Sequence, residues 1–160
     1  MQTSTFRLAA LAIVLVAAGW FAGAAAQQPQ GAQRVEGRRY IEPRSPSSAG
    51  TPFSGGVLVG NTFYLSGTLG LGPNQQVPDS PDAEATNVLN AVQKTLSQAG
   101  MTMDDLVSVQ VFCSDVAHYD AFNKVYRTYF KQEFPARAFI GSGRLLFGAR
   151  FEVQAIAVRR

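Results

Sequence analysis

The sequence predicts a two-layer α+β domain, with one mixed β-sheet and two helices on one of its faces. Three observations point there. Runs such as Val57-Leu58-Val59 and Val107 to Cys113 are short, apolar and β-branched, as strands are. Two other segments repeat apolar residues at helical spacing between recognisable start and stop signals. The order is strands, helix, strand, helix, strands, so each helix can cross over one face of a single sheet. No internal repeat competes with this arrangement.

The N-terminus stands outside that domain. Arg7 supplies a short positive region, and Leu8 to Ala18 is an almost unbroken run of Leu, Ala, Ile and Val. Ala24-Ala25-Ala26 before Gln27 then gives the small-residue pattern of a signal-peptidase site. The expectation is an exported, periplasmic protein whose leader, residues 1–26, is removed, leaving no stable membrane anchor. Subtracting 26 from 160 residues leaves 134, enough for one domain with a real core.

Residues 27–50 read as a linker rich in Gln, Pro, Gly and Ser, with a possible first strand at Arg38–Glu42. The domain proper spans residues 51–160. Val57-Leu58-Val59, then Gly60-Asn61, then Thr62 to Ser66 reads as a β-hairpin whose central pair tolerates positive φ. Gly67, Gly70, Gly72 and Pro73 then break the regular structure beyond the hairpin. Ser80-Pro81-Asp82-Ala83-Glu84 is a helix start: a capping serine, proline in the first turn, and acids at the positive end of the dipole. Ala85, Val88, Leu89, Val92, Leu96 and Ala99 form its apolar stripe, and Gly100 ends it.

Val107, Val109, Val111 and Cys113 alternate with more polar neighbours, as on a half-buried strand. Ser114 or Asp115 caps a second helix, with Val116, Tyr119, Phe122, Tyr126, Tyr129 and Phe130 as its apolar stripe and Pro135 as its stop. Two last strands are expected near Ala138–Leu145 and Arg150–Val158, with Gly148 in the turn between them.

Charge and composition narrow the function. The chain carries a formal net charge of +3, yet from Thr51 onward nine Lys and Arg face nine Asp and Glu. The pI of about 9.3 therefore reflects the leader and linker. The domain lacks the clustered positive charge expected of a nucleic-acid partner. Cys113 is the single cysteine, so no internal disulfide forms, and it reads as a small buried hydrophobe. His118 is the single histidine and reads as structural or exposed. One Cys and one His supply neither a Cys/His zinc site nor a His-based facial triad, and no metal site is expected.

The most chemically suggestive stretch is Pro135-Ala136-Arg137-Ala138, with Glu152 fifteen residues beyond the arginine. An arginine at the start of one strand and a carboxylate on the next can face a single pocket. One would hold an anion and the other move protons, on a small carboxylate-bearing substrate and without a metal. On spacing alone, Glu152 between Phe151 and Val153 also reads as a solvent-facing strand residue, and a lone arginine as a surface ion-pair partner.

From about Thr51 to its C-terminus the chain resembles the Rid family of reactive enamine/imine deaminases, also called YjgF-like proteins. The resemblance rests on Thr51-Pro52-Phe53-Ser54, Gly60 through Gly67, Ala99-Gly100-Met101 with Asp104-Asp105-Leu106-Val107, and Val111-Phe112 before Asp115. It continues through Phe122 to Tyr126 with Tyr129-Phe130, Phe134-Pro135-Ala136-Arg137, and Phe151 to Val158. It implies a chorismate-mutase-like fold and a homotrimer with sites at the subunit interfaces. It also implies cofactor-free hydrolysis of 2-imino acids such as 2-iminobutanoate and 2-iminopropanoate, and of their enamine tautomers, to 2-oxo acids and ammonia.

By the same resemblance Arg137 binds the substrate carboxylate, Glu152 positions or activates water, and Ser66, Asn123 and Phe139 contribute to the pocket. Phe53 stands where the family often has tyrosine, and Thr68 where glutamine is common. Phe139 is bulkier than the usual residue at its place. Phe53 and Thr68, with an exported location, also fit a non-catalytic protein of the same fold that binds a small carboxylate. In either case an arginine can grip a carboxylate through two parallel N–H···O bonds.

Overall fold

A computed structural model describes residues 37–42 and 50–160. The expected leader, residues 1–26, and much of the expected linker lie outside the described residues. Six strands form one mixed sheet: β1 (Arg39–Ile41), β2 (Gly56–Val59), β3 (Thr62–Leu69), β4 (Leu106–Cys113), β5 (Ala136–Gly141) and β6 (Phe151–Val158). Their order across the sheet is β1-β2-β3-β6-β4-β5. Every neighbouring pair is antiparallel except β4 and β5, which run parallel. Helices α1 (Pro81–Gln98) and α2 (Tyr119–Tyr126) complete the fold.

The α1 signals act as read. Ser80 Oγ accepts the Ala83 N–H at 3.2 Å, and Gly100 leaves the helix at φ 76°. Ala85, Val88, Leu89, Val92 and Leu96 are buried against the sheet, where each Val or Leu contributes about 1.5–3 kcal/mol. Arg39 Nη2 and Arg159 Nη2 both donate to the Ala99 carbonyl, at 2.9 and 3.0 Å. Cations suit that end of a helix, and the two bonds tie the β1 and β6 ends of the sheet to α1.

Several boundaries differ from the sequence reading. β3 runs through Gly67 to Leu69, because a bulge between Leu65 and Thr68 absorbs the glycine without ending the strand. Asp115, not Ser114, makes the capping bond, and it caps the 3-10 turn Val116–His118 that precedes α2: its Oδ1 accepts the Ala117 N–H at 2.9 Å. The regular part of α2 stops at Tyr126, well short of Pro135, after which a 3-10 turn leads to extended Phe130. Aromatic packing draws the chain back there, with Tyr126 to Phe130 at 4.7 Å and Phe130 to Phe134 at 5.5 Å between ring centres. Val116 and Tyr119, expected in the stripe, are exposed; Phe122 and Tyr126 are its buried members. β5 begins at Ala136 and ends at Gly141, because its partner β4 spans Ser108 to Cys113 opposite it.

Val109, Val111, Cys113, Phe151, Val153 and Ala155 point into the layer shared with the helices and are buried. Alternation sends Gln110, Phe112, Glu152, Gln154, Ile156 and Val158 to the other face. No element of the described chain covers that face. Tyr64 and Ile140 are exposed there, and a shallow depression of about 130 Å³ lies among Tyr64, Ser108, Gln110, Gln154 and Ile156.

Candidate active site

Arg137 lies on β5, the edge strand, opposite Val109 of β4 and on the helix side of the sheet. Its Nη2 donates to Asn123 Oδ1 on α2 at 2.7 Å. The guanidinium carbon sits 4.6 Å from the Tyr126 ring centre and 5.9 Å from that of Phe139. Aromatic faces attract a cation, so the rings hold the group without neutralising it. Among the described residues no carboxylate pairs with it, and its buried Nη1 has no hydrogen-bond partner. A half-buried cation with an unpaired donor has the chemistry to accept an anion.

Asn123 and Phe139 act on that arginine. The amide of Asn123 is committed to the guanidinium, so it positions the group. Phe139 packs edge-on against Tyr119 at 5.0 Å and Phe122 at 5.7 Å, filling the wall beside it. Tyr126, a core residue by its spacing, has a buried hydroxyl without a partner among the described residues. Burial pushes that hydroxyl up to about 12, against a smaller opposing effect of Arg137, so it stays a donor.

Glu152 is partly exposed on the opposite, uncovered face. Its side chain lies over Gly67 in the β3 bulge, where an added Cβ would collide with the carboxyl oxygen. Gly67, a strand breaker by its motif alone, thus leaves room for the Glu152 carboxyl in this position. Beside it, Ser66 Oγ donates to the Ser54 carbonyl at 2.7 Å and Ser66 N–H to the Gly55 carbonyl at 3.1 Å. Both bonds anchor the loop that carries exposed Phe53. Thr68 Oγ1 turns back to the Ser66 carbonyl at 3.1 Å.

Within one chain Arg137 and Glu152 do not share a pocket, although their spacing in sequence allows it. β5 and β6 are consecutive in sequence, but β4 lies between them in the sheet. Phe112 of β4 pairs with both Glu152 and Ile140, whereas Arg137 pairs with Val109. The register places the arginine on the helix face and the glutamate on the other. One chain thus carries two separate candidate groups: Arg137, Asn123, Tyr126 and Phe139 at the β5 edge, and Glu152, Gly67, Ser66 and the Phe53 loop on the bare face. Cys113 and His118 belong to neither; Cys113 is buried on the core face, and His118 lies edge-on to Phe151 at 6.1 Å.

Fold and site together define a class: an α+β protein with a six-stranded mixed sheet, two covering helices, and an unneutralised arginine at the sheet edge. The chain belongs to the endoribonuclease L-PSP family, that of the YjgF and Rid proteins, whose model matches residues 43–159. The 2-iminobutanoate/2-iminopropanoate deaminase of Capra hircus is 38% identical over 124 residues, 76% of this chain and 90% of its own. The YjgF gene product of E. coli is 31% identical with a TM-score of 0.68, covering 76% of this chain and 99% of its own. E. coli TdcF, solved with bound serine, is 28% identical with a TM-score of 0.68 over the same shares. The Rid resemblance and the two-layer fold are thereby borne out.

Proposed function

We propose that the protein hydrolyses reactive 2-imino acids and their enamine tautomers, such as 2-iminobutanoate and 2-iminopropanoate, to 2-oxo acids and ammonia. The observation that carries this reading is the Arg137 guanidinium, held by Asn123 and Tyr126 with no carboxylate partner among the described residues. Curated relatives bearing the deaminase name support it. Arg137 grips the substrate carboxylate through charge-assisted bonds worth about 1.5–3 kcal/mol each. Holding the imine carbon beside a water removes much of the entropic barrier.

Glu152 accepts a proton from that water as its oxygen adds to the C=N carbon, and the nitrogen takes up a proton to give a carbinolamine. Protonated Glu152 then returns its proton to the carbinolamine nitrogen, and loss of the hydroxyl proton to the freed carboxylate expels ammonia and leaves the 2-oxo acid. An enamine first gains a proton at carbon, which the same carboxyl can deliver. Every group in this scheme belongs to the chain, the substrate or water.

The reading includes a homotrimer with each site between two copies. Its support is the split: the arginine half and the glutamate half lie on opposite faces of one chain, and the bare sheet face offers somewhere for a neighbour's β5 edge to sit. It also includes export to the periplasm with loss of residues 1–26, supported by the leader pattern. N-terminal sequencing of the periplasmic protein tests that part, and a mature chain still beginning at Met1 would refute it.

The activity is tested by generating 2-iminobutanoate in situ with an amino-acid oxidase and monitoring its trapping by semicarbazide. Wild type should suppress trapping and Arg137→Ala should not; trapping unchanged by wild type across several imino acids would overturn the reading. A binding-only role uses the same arginine, and the serine bound in TdcF gives it a specific observation. It is favoured if wild type binds small acids yet never turns one over.

A further inference from the structure

Glu84 is fully buried and charged, yet belongs to neither candidate group. It stands in the first turn of α1, and its carboxylate accepts three hydrogen bonds. Oε1 takes the backbone N–H of Arg150 at 2.5 Å and of Phe151 at 3.0 Å, and Oε2 takes Arg150 Nη1 at 2.8 Å. Arg150 Nη1 also donates to the Pro78 carbonyl at 2.8 Å, reaching the segment that leads into α1. All the donors to Glu84 come from the two residues immediately before Glu152.

The topology explains why a carboxylate is needed there. β3 pairs with β6 as far as Leu69 opposite Glu152, and then leaves the sheet. On that side the amides ahead of Glu152 meet no neighbouring strand. A buried N–H left unpaired costs about as much as a lost hydrogen bond, and Glu84 stands in for the missing strand. The other side is already held, with Phe151 opposite Cys113 and the Ser114 N–H donating to the Arg150 carbonyl at 3.0 Å. Gly70 permits the approach, since a Cβ there would run into the Glu84 backbone oxygen. Asn87 Nδ2 fastens the same turn through the Gly70 carbonyl at 3.3 Å.

A buried ion pair is a poor choice for stability alone, because well-packed apolar residues usually do as well or better. Its contribution is a fixed geometry. The geometry points to Glu84 and Arg150 as positioning residues for Glu152: their clasp sets where β6 begins, and so where the Glu152 carboxyl stands over Gly67. The inference rests on the reading of Glu152 as the proton-moving group.

The test uses the whole mature chain in four forms: wild type, Glu84→Ala, Glu84→Gln and Arg150→Met. Three quantities are read: kcat and KM on imine generated in situ, hydrogen exchange of the Arg150 and Phe151 amides, and the titration of the Glu152 carboxyl read from its 13C shift. Glu84→Ala should lower kcat about tenfold to a hundredfold with KM within about twofold, the signature of a misplaced catalytic group. It should also expose the two amides and move the Glu152 titration. Glu84→Gln keeps an acceptor oxygen and should restore the amide protection and most of the rate.

A folded Glu84→Ala protein with wild-type kcat and an unmoved Glu152 titration overturns the proposal. So does loss of protection throughout β4 and β6 with KM rising as kcat falls, which marks a general structural role. Should Glu84→Ala not fold, Arg150→Met decides, because it strips Oε2 of its partner and spares both amide bonds; an unmoved Glu152 titration and unchanged kcat there overturn it. A wild type without turnover defeats the deaminase reading alone, since exchange and titration need no substrate and still judge the clasp.

Discussion

Asn123 on α2 and Arg137 on β5 share a 2.7 Å hydrogen bond that ties the guanidinium to the helix layer. The bond removes one of the few freedoms a long cationic side chain has, so an incoming anion would meet the arginine already oriented. Preorganisation of this kind appears mainly in binding. Asn123→Ala should raise KM for 2-imino acids about tenfold, in line with one lost charge-assisted bond, and leave kcat within about threefold. Steady-state kinetics decide the point. A fall in kcat at unchanged KM would instead make Asn123 a participant in the chemistry.

Tyr126 links that same arginine to pH. An unfolded tyrosine ionises near pH 10, whereas in the fold burial pushes the group up to about 12. In the window between, the unfolded chain sheds a proton that the native chain keeps. Stability from this residue is therefore intact below about pH 10 and lost as pH rises towards about 12, by roughly 2–3 kcal/mol in all. Tyr126→Phe removes both that loss and a buried hydroxyl that has no partner among the described residues. It should match or exceed wild type at pH 7 by up to about 1 kcal/mol, and exceed it further at high pH. Denaturant titrations at neutral and alkaline pH measure this, and parallel curves for the two proteins would contradict it.

Gly67 separates folding from function. A methyl group there meets the end of the Glu152 side chain, which can swing aside. Gly67→Ala should therefore cost little stability, about 1 kcal/mol or less, while displacing the carboxyl and lowering kcat at least tenfold. Thermal melts beside kinetics test the pair of effects. A variant with full activity would show that the carboxyl need not occupy the bulge.

The fold was largely legible because its periodicities are local. Val88, Leu89, Val92 and Leu96 announce α1, and Val109, Val111 and Cys113 announce a strand with one buried face. The candidate site was legible only as a set of residues. Sequence order makes β5 and β6 neighbours, and nothing local to either strand says that β4 slides between them in parallel with β5. That single non-local pairing puts Arg137 and Glu152 on different faces. Glu84 was missed for the same reason: at a helix start an acid reads as a partner for the dipole, and its real partners, Arg150 and Phe151, lie 66 and 67 residues away. Gly67 reads as a breaker until a bulge is seen to absorb it.

The two candidate groups make a prediction about assembly that single variants cannot. If each site takes its arginine from one copy and its glutamate from the next around a closed ring, Arg137→Ala and Glu152→Gln damage different sides of the interface. Each variant alone has no intact site. In trimers mixed at random from equal amounts of both, a given interface pairs a sound arginine with a sound glutamate about one time in four, because the contact is head-to-tail and directional. Unfolding and refolding the two inactive proteins together should therefore restore about a quarter of wild-type activity. Refolding each alone should restore none. If both halves of a site came from one chain, through a rearrangement that carried Arg137 round the β5 edge, no mixture would recover activity, since every chain would still lack one of its two groups.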